Sequence, residues 1–195
     1  MPVQELMYIR ENADFEKNTS LAVAINCAPV LKGSKAANIM TVSLEEFNQI
    51  KENISGTDIS YYLLRGKHDK FILYLYRERL LMRYLKRPDV RDFLTEHGYD
   101  TENLPMMLVR LSIRAKEFCN RDGEFPHEIG AFLEYPIDDI RGYLENNGEN
   151  CLLSGYWKVY RNAENTKKLF KKFDEEREAS IKEIMYGKTL REIAV

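Results

Sequence analysis

Cys27, Lys35, His127 and Glu128 are the side chains whose type and setting could do chemistry in this chain. Cys27 stands in Asn26-Cys27-Ala28-Pro29, a few residues before Gly33-Ser34-Lys35. Proline is tolerated in the first turn of a helix. A short helix from Pro29 to Gly33 would therefore put Cys27 at its N-terminal end. Free N–H groups and the helix dipole there stabilise a thiolate, and Lys35 would add positive charge. The plainer reading of Cys27 is a small buried hydrophobe. The second segment is Gly123-Glu124-Phe125-Pro126-His127-Glu128-Ile129-Gly130. A helix starting at Pro126 would place His127 and Glu128 at exposed amides. His127 could then carry a proton, or it could cap or pack; Glu128 could do the same or complement the dipole. A Cys–His pair arises only where the fold brings Cys27 beside His127.

Several better-defined chemistries are excluded by single residues. Gly187-Lys188-Thr189 ends like a phosphate-binding loop, but Lys182 stands where the first glycine is required, and a helix rather than a strand precedes it. Gly33-Ser34-Lys35 fails likewise, with Ala28 at that position. His127-Glu128 opens like a zinc-protease helix, but Ala131 replaces the second histidine. No Cys-x-x-Cys pair exists, so no metal site is expected, and no cofactor can be named. Tyr74, Tyr76, Arg77, Arg79, Arg83, Tyr84, Lys86 and Arg87 mix arginine with tyrosine, as nucleic-acid surfaces do. Strand alternation would turn some of these tyrosines into the core. The Lys167, Lys168, Lys171, Lys172 cluster, with Leu169, Phe170 and Phe173 between its members, is the wet side of an amphipathic helix.

Bulk composition narrows the classes further. The 195 residues are 44% hydrophobic, and 29 basic against 31 acidic residues leave a net charge of −2. That removes a bulk drive toward nucleic acid or anionic membrane. Neither nucleic acid nor membrane is expected as a partner; a homodimer or a small-molecule ligand is. The three cysteines are widely spaced and do not form a secreted framework. Residues 1–16 lack an apolar signal core, and no run nears the roughly 18 apolar residues that span a bilayer. The expected location is cytoplasmic.

These residues must be positioned by an α+β fold, expected as one domain over residues 1–195. Residues 17–33 are ambiguous between a strand, from the alternation of Leu21, Val23 and Ile25, and the short helix at Pro29. A strand is expected at 38–42. Ser43 and Glu46 form a capping box for a helix over 44–54. Runs at 60–66 and 70–77 flank Gly66-Lys67-His68-Asp69 as a hairpin. Helices are expected over 78–87, from Asp89 to near Gly98, over 104–118, 126–134, 136–147 and 163–186, with a last strand over 152–160. The sum is a small mixed sheet of about four strands, including one hairpin, covered by helices. A ferredoxin-like arrangement with inserted helices is one candidate topology.

Two stretches carry a resemblance. One is Asn26-Cys27-Ala28-Pro29-Val30-Leu31-Lys32-Gly33-Ser34-Lys35-Ala36-Ala37-Asn38. The other runs from Gly123 to Gly130, through Tyr135-Pro136, to Gly155-Tyr156-Trp157-Lys158-Val159-Tyr160. Together they resemble an uncharacterised bacterial family, a domain of unknown function of about this length. The resemblance implies one site built from both motifs. It points to Cys27, His127 and Glu128 for any catalysis, and to Lys35, Asn38, Tyr156, Trp157 and Lys158 for ligand binding. This chain departs from the family at Asn26, where histidine is common, at Ala36, where proline is common, and at Ser154, where several members carry cysteine. A mechanism needing paired thiols or a His–Cys neighbour pair is weakened accordingly. The functional expectation is a non-enzymatic binding or adaptor protein. The alternative is a small-ligand-binding or thiol-dependent enzyme using the Cys27 and His127 motifs.

Overall fold

The structure, a computed structural model, describes residues 13–65, 70–120 and 126–194. The turn expected at 66–69 and the Gly123-Glu124-Phe125 end of the second motif lie outside the described residues.

Helix α1 (Phe15–Leu31) absorbs the whole ambiguous segment, with Asp14 as its N-cap accepting from Lys17 N at 2.8 Å. Neither the strand nor a helix beginning at Pro29 forms there; Pro29 sits in the last turn. The reason lies in burial. Most positions from Thr19 to Leu31 are buried, so apolar residues occur all round the helix and no single-face period shows in the sequence. Strand β1 (Ala37–Val42) follows, then α2 (Leu44–Asn53) with the Ser43–Glu46 capping box formed. Strands β2 (Ile59–Arg65) and β3 (Phe71–Arg77) pair antiparallel, and β1 pairs with the other edge of β3, also antiparallel. The order β1-β3-β2 makes β1 and β2 parallel to each other with β3 inserted between them.

Helices α3 (Glu78–Leu85), α4 (Pro88–Glu96), α5 (Leu104–Asn120), α6 (Ile129–Phe132) and α7 (Ile137–Glu145) come next. The expected strand at 152–160 is instead a separate hairpin, β4 (Leu153–Ser154) with β5 (Lys158–Val159). Gly155 explains the break: a Cβ there would lie 2.4 Å from the Phe170 ring, so the chain turns tightly over that ring. The fold is therefore α+β, with a three-strand antiparallel sheet and a two-strand hairpin in place of one mixed sheet of four. A ferredoxin-like arrangement needs a fourth strand in this sheet, and among the described residues the sheet has three. Helix α8 (Ala163–Met185) and α9 (Leu190–Ile193) end the chain, the latter opened by a Thr189–Glu192 capping box.

Strand alternation distributes β3 between two cores. Leu73 and Leu75 pack with α1, α8 and α9 through Leu21, Cys27, Ile181, Ile184 and Leu190. Tyr74 faces the opposite core with Leu81, Leu85, Phe93, Leu108 and Phe132. Two hydroxyls in that second core fix the backbone beneath the site. Tyr74 donates to the Phe132 carbonyl at 2.6 Å, and Tyr84 donates to the Tyr135 carbonyl. Arg77 is buried as well. Its Nε donates to Val30 O at 2.7 Å and its Nη2 to Leu31 O at 2.8 Å, closing the C-terminal end of α1, while Nη1 pairs with Asp58. Tyr74, Arg77 and Tyr84 are thus interior structural groups and cannot present themselves to a nucleic acid. No helix among the described residues is long and apolar enough to cross a membrane.

Candidate functional site

The two motifs meet at the turn after α6. Glu134 takes a left-handed conformation there, with φ 61°, a strained choice for a residue with a side chain. Its Oε2 accepts from Ala36 N at 2.6 Å, which ties the end of the first motif to the second. Lys35 Nζ lies 5.2 Å from the centroid of the Tyr135 ring and donates to Ala37 O at 2.9 Å. Tyr135 in turn stacks on Trp157 at 4.9 Å and 28°. Lys35, Tyr135 and Trp157 therefore form a chain of contacts from the first motif to the last.

Beyond Tyr135 and Trp157 opens a cavity of about 380 Å³. Its walls are His127, Ile129, Gly130, Tyr135, Asp139, Ile140, Tyr143, Trp157 and Lys158. The His127 and Tyr143 rings lie 5.2 Å apart in this lining. Trp157 meets Phe170 edge to face, at 4.6 Å and 88°, which supports the indole. Gly130 keeps its floor open: a Cβ there would lie 3.0 Å from Ile140 and 3.2 Å from Tyr135. Gly142 plays the same part behind α7, since a Cβ there would lie 2.5 Å from the Tyr160 ring.

Asp139 holds the hairpin against α7. It is 2% exposed, and among the described residues no cation pairs with it. Its Oδ2 accepts from the Trp157 indole at 2.8 Å, and its Oδ1 accepts from Tyr160 N at 2.7 Å and Arg161 N at 3.1 Å. Buried carboxylates require such partners. Lys158, on the cavity rim, is exposed. Its Nζ donates to Gly148 O at 2.5 Å and stands 5.8 Å from the Tyr143 centroid.

The structure distributes the sequence-predicted site residues unevenly. His127, Trp157 and Lys158 line the cavity, and Lys35 supports it from behind Tyr135. Tyr156 points away, packing on Phe170 and Phe173 and donating to Asp174 at 3.1 Å. Its hydroxyl is pushed up to about 12, by burial first. Asn38 accepts from Ile39 N at 3.1 Å and donates to Asn26 O, bracing β1 against α1. Among the described residues no group of three or more His, Cys, Asp or Glu is placed to hold a metal ion.

Cys27 departs furthest from its expected setting. It lies in the penultimate turn of a seventeen-residue helix and is 0% exposed. The dipole there favours cations, the opposite of the helix-start argument. Burial pushes its thiol up to about 12, with only partial opposition from Lys35. Cys27 does not line the cavity that His127 borders. Native protein at pH 8 is therefore expected to alkylate at Cys27 at least about a hundredfold more slowly than urea-unfolded protein, because only the thiolate attacks. Peptide mass mapping against time would check this; equal rates would contradict the burial.

Lys35 shows the converse effect. Burial lowers its ammonium to about 8, with Glu134 opposing that shift. Between about pH 8 and 10.5 the unfolded chain binds this proton and the folded chain does not, so stability contributed by this group rises with pH. The unfolding free energy of the natural protein, minus that of Lys35→Met, is expected to increase over this interval. A flat difference would contradict the assignment.

Glu128, 1% exposed, pairs with Arg114 and accepts from the Tyr99 hydroxyl at 3.2 Å. It precedes a four-residue helix and serves the core rather than a free helix end. Removing Arg114 would leave a buried carboxylate short of its counter-ion. Arg114→Met should cost about 2 kcal/mol, below the roughly 3–5 kcal/mol of fully buried pairs because Arg114 itself is partly exposed. Urea unfolding would show it, and a loss below about 0.5 kcal/mol would contradict the pairing.

Sequence reasoning passed over Asp139 and Tyr143. Their signal was a spacing of four within the expected 136–147 helix, which puts both on one face, on the same side as the preceding Tyr135. The family membership follows these same segments. A profile described as "Protein of unknown function (DUF3793)" matches residues 23–194, from within α1 to the last helix. The chain belongs to this family of unknown function. Its matched span contains both motifs and every residue lining the cavity. No curated protein and no solved structure matches the chain.

Proposed function

We propose that this DUF3793 protein is a non-enzymatic binding protein whose ligand is a small molecule held in the aromatic cavity. One observation carries the reading: the cavity draws its walls from motif segments distant in sequence, including His127, Tyr135, Trp157 and Lys158. Its volume falls at the small end of the range for ligand pockets, and its lining is chiefly apolar and aromatic with few polar groups, as such pockets are. Buried hydrogen bonds fix its surroundings: Asp139 accepts from the Trp157 indole, and Tyr74 and Tyr84 donate to the Phe132 and Tyr135 carbonyls. The thiol-dependent alternative has less support, since Cys27 is sealed and its thiolate disfavoured. A cytoplasmic setting belongs to the same proposal.

Thermal unfolding in the presence of a panel of one- and two-ring aromatic compounds tests the reading. A ligand at about a hundredfold its Kd should add about 2.7 kcal/mol of stability. The same compound should stabilise a His127→Ala, Tyr143→Ala double variant distinctly less. No stabilisation by any member, or equal stabilisation of the double variant, would overturn it.

A further inference from the structure

We infer that the cavity selects flat aromatic acids: a ring system between the Tyr135–Trp157 and His127–Tyr143 sides, with its carboxylate on the Lys158 ammonium. The inference rests on the cavity being a ligand site and adds the chemical class. Among the residues that line it, Asp139 brings a carboxylate and Lys158 an ammonium, and the two are not equivalent. Asp139 is buried and its two oxygens already receive three N–H groups of the fold. Its charge is spent on holding the hairpin. Lys158 is exposed, gives one N–H to Gly148 O, and has no carboxylate within 4.0 Å among the described residues. An ammonium has three donors, so two remain for a ligand. The Gly148 carbonyl and the Tyr143 face hold this ammonium at the rim, so little side-chain freedom is left to lose on binding.

The same geometry disfavours a cationic ligand. Aromatic cages attract cations, but here Lys158 already stands over Tyr143 and would repel a second positive charge. A neutral ring would gain the stacking surface but leave the ammonium without a partner. The rings set the other half of the specificity. Tyr135 and Trp157 are fixed from behind by Lys35 and Phe170. They offer a rigid apolar side rather than an adaptable one.

Isothermal calorimetry with naphthoate, naphthamide and naphthylmethylamine separates these cases on the full chain. The acid should bind about tenfold more tightly than the amide, the increment of one charge-assisted hydrogen bond, and the amine most weakly. Lys158 is exposed, so Lys158→Met should fold normally and reduce the acid's advantage to below about threefold, while Lys158→Arg should retain it. An amide or amine binding as tightly as the acid, or an acid preference that survives in Lys158→Met, overturns the inference while leaving the cavity as a ligand site. Failure of all three compounds to bind overturns the inference together with the reading beneath it.

Discussion

Asp139→Ala is expected to lower the unfolding free energy by about 3–4 kcal/mol and to disable the cavity. Three N–H groups lose their acceptor at once: the Trp157 indole and the Tyr160 and Arg161 amides. Hydrogen bonds to a charged acceptor contribute about 1.5–3 kcal/mol each. Their plain sum overstates the loss, because the carboxylate's own desolvation cost disappears with it. Asp139→Asn should cost about half as much, since one oxygen remains to accept while the amide NH2 confronts a donor. Urea unfolding followed by Trp157 emission reports both effects, because Trp157 is the single tryptophan. Its indole also loses its partner in either variant, so the native emission spectrum should change before any unfolding. A loss below about 1 kcal/mol for Asp139→Ala would show that the hairpin is held by its ring contacts alone.

Arg77→Met is expected to be comparably damaging, at about 3–4 kcal/mol. The guanidinium spans two carbonyls at the end of α1 and Asp58 beyond them. The last carbonyls of a helix have no intrahelical donors, and Leu31 O depends on Arg77 for its bond. A cation at this end also complements the helix dipole. Arg77→Lys should recover less than half of the loss, because a single ammonium cannot span two carbonyls and a carboxylate in one geometry. The damage should reach the site. Arg77 fixes the turn leading to Lys35 and Ala36, and those residues hold Tyr135 and Glu134. Thermal and urea unfolding should agree on the loss; recovery of full stability by Arg77→Lys would contradict the bridging role.

Much of this arrangement was legible in the sequence where one local signal dominated. The Ser43–Glu46 capping box and the α2 helix behind it formed as spacing required. The strands at Ile59–Arg65 and Phe71–Arg77 likewise followed their Tyr- and Leu-rich runs. Residues 17–33 were not legible, because a helix buried on nearly every side has no apolar face to reveal its period, and Pro29 mimics a helix start. The error passed directly to the chemistry. Cys27 had the features of an activated thiol only while Pro29 opened a helix.

The 152–160 run failed for a different reason. Its apolar and aromatic composition suits a strand, but the Gly155 approach to Phe170 and the Asp139 bonds to the 160–161 amides fold it into a hairpin away from the sheet. Those are contacts between segments far apart in sequence, which no local pattern encodes. The candidate site was half legible for the same reason. His127 stood out by residue type and Trp157 and Lys158 by the motif resemblance, whereas Asp139 has the sequence setting of an ordinary first-turn acid beside Asp138. Only the fold shows that one of the two faces solvent and the other is buried.

The space lined by Tyr135, Trp157, His127 and Tyr143 is where we propose that a small aromatic ligand binds. The NMR signal of the Trp157 indole N–H tests it most directly, because the chain has one tryptophan and that signal reports one wall of the cavity. On titration with naphthoate this signal should shift saturably, together with the amides of Ile129, Gly130 and Lys158. An indole signal that stays fixed while naphthoate perturbs amides elsewhere, such as those around the exposed Met106 and Ile113 on α5, would contradict it.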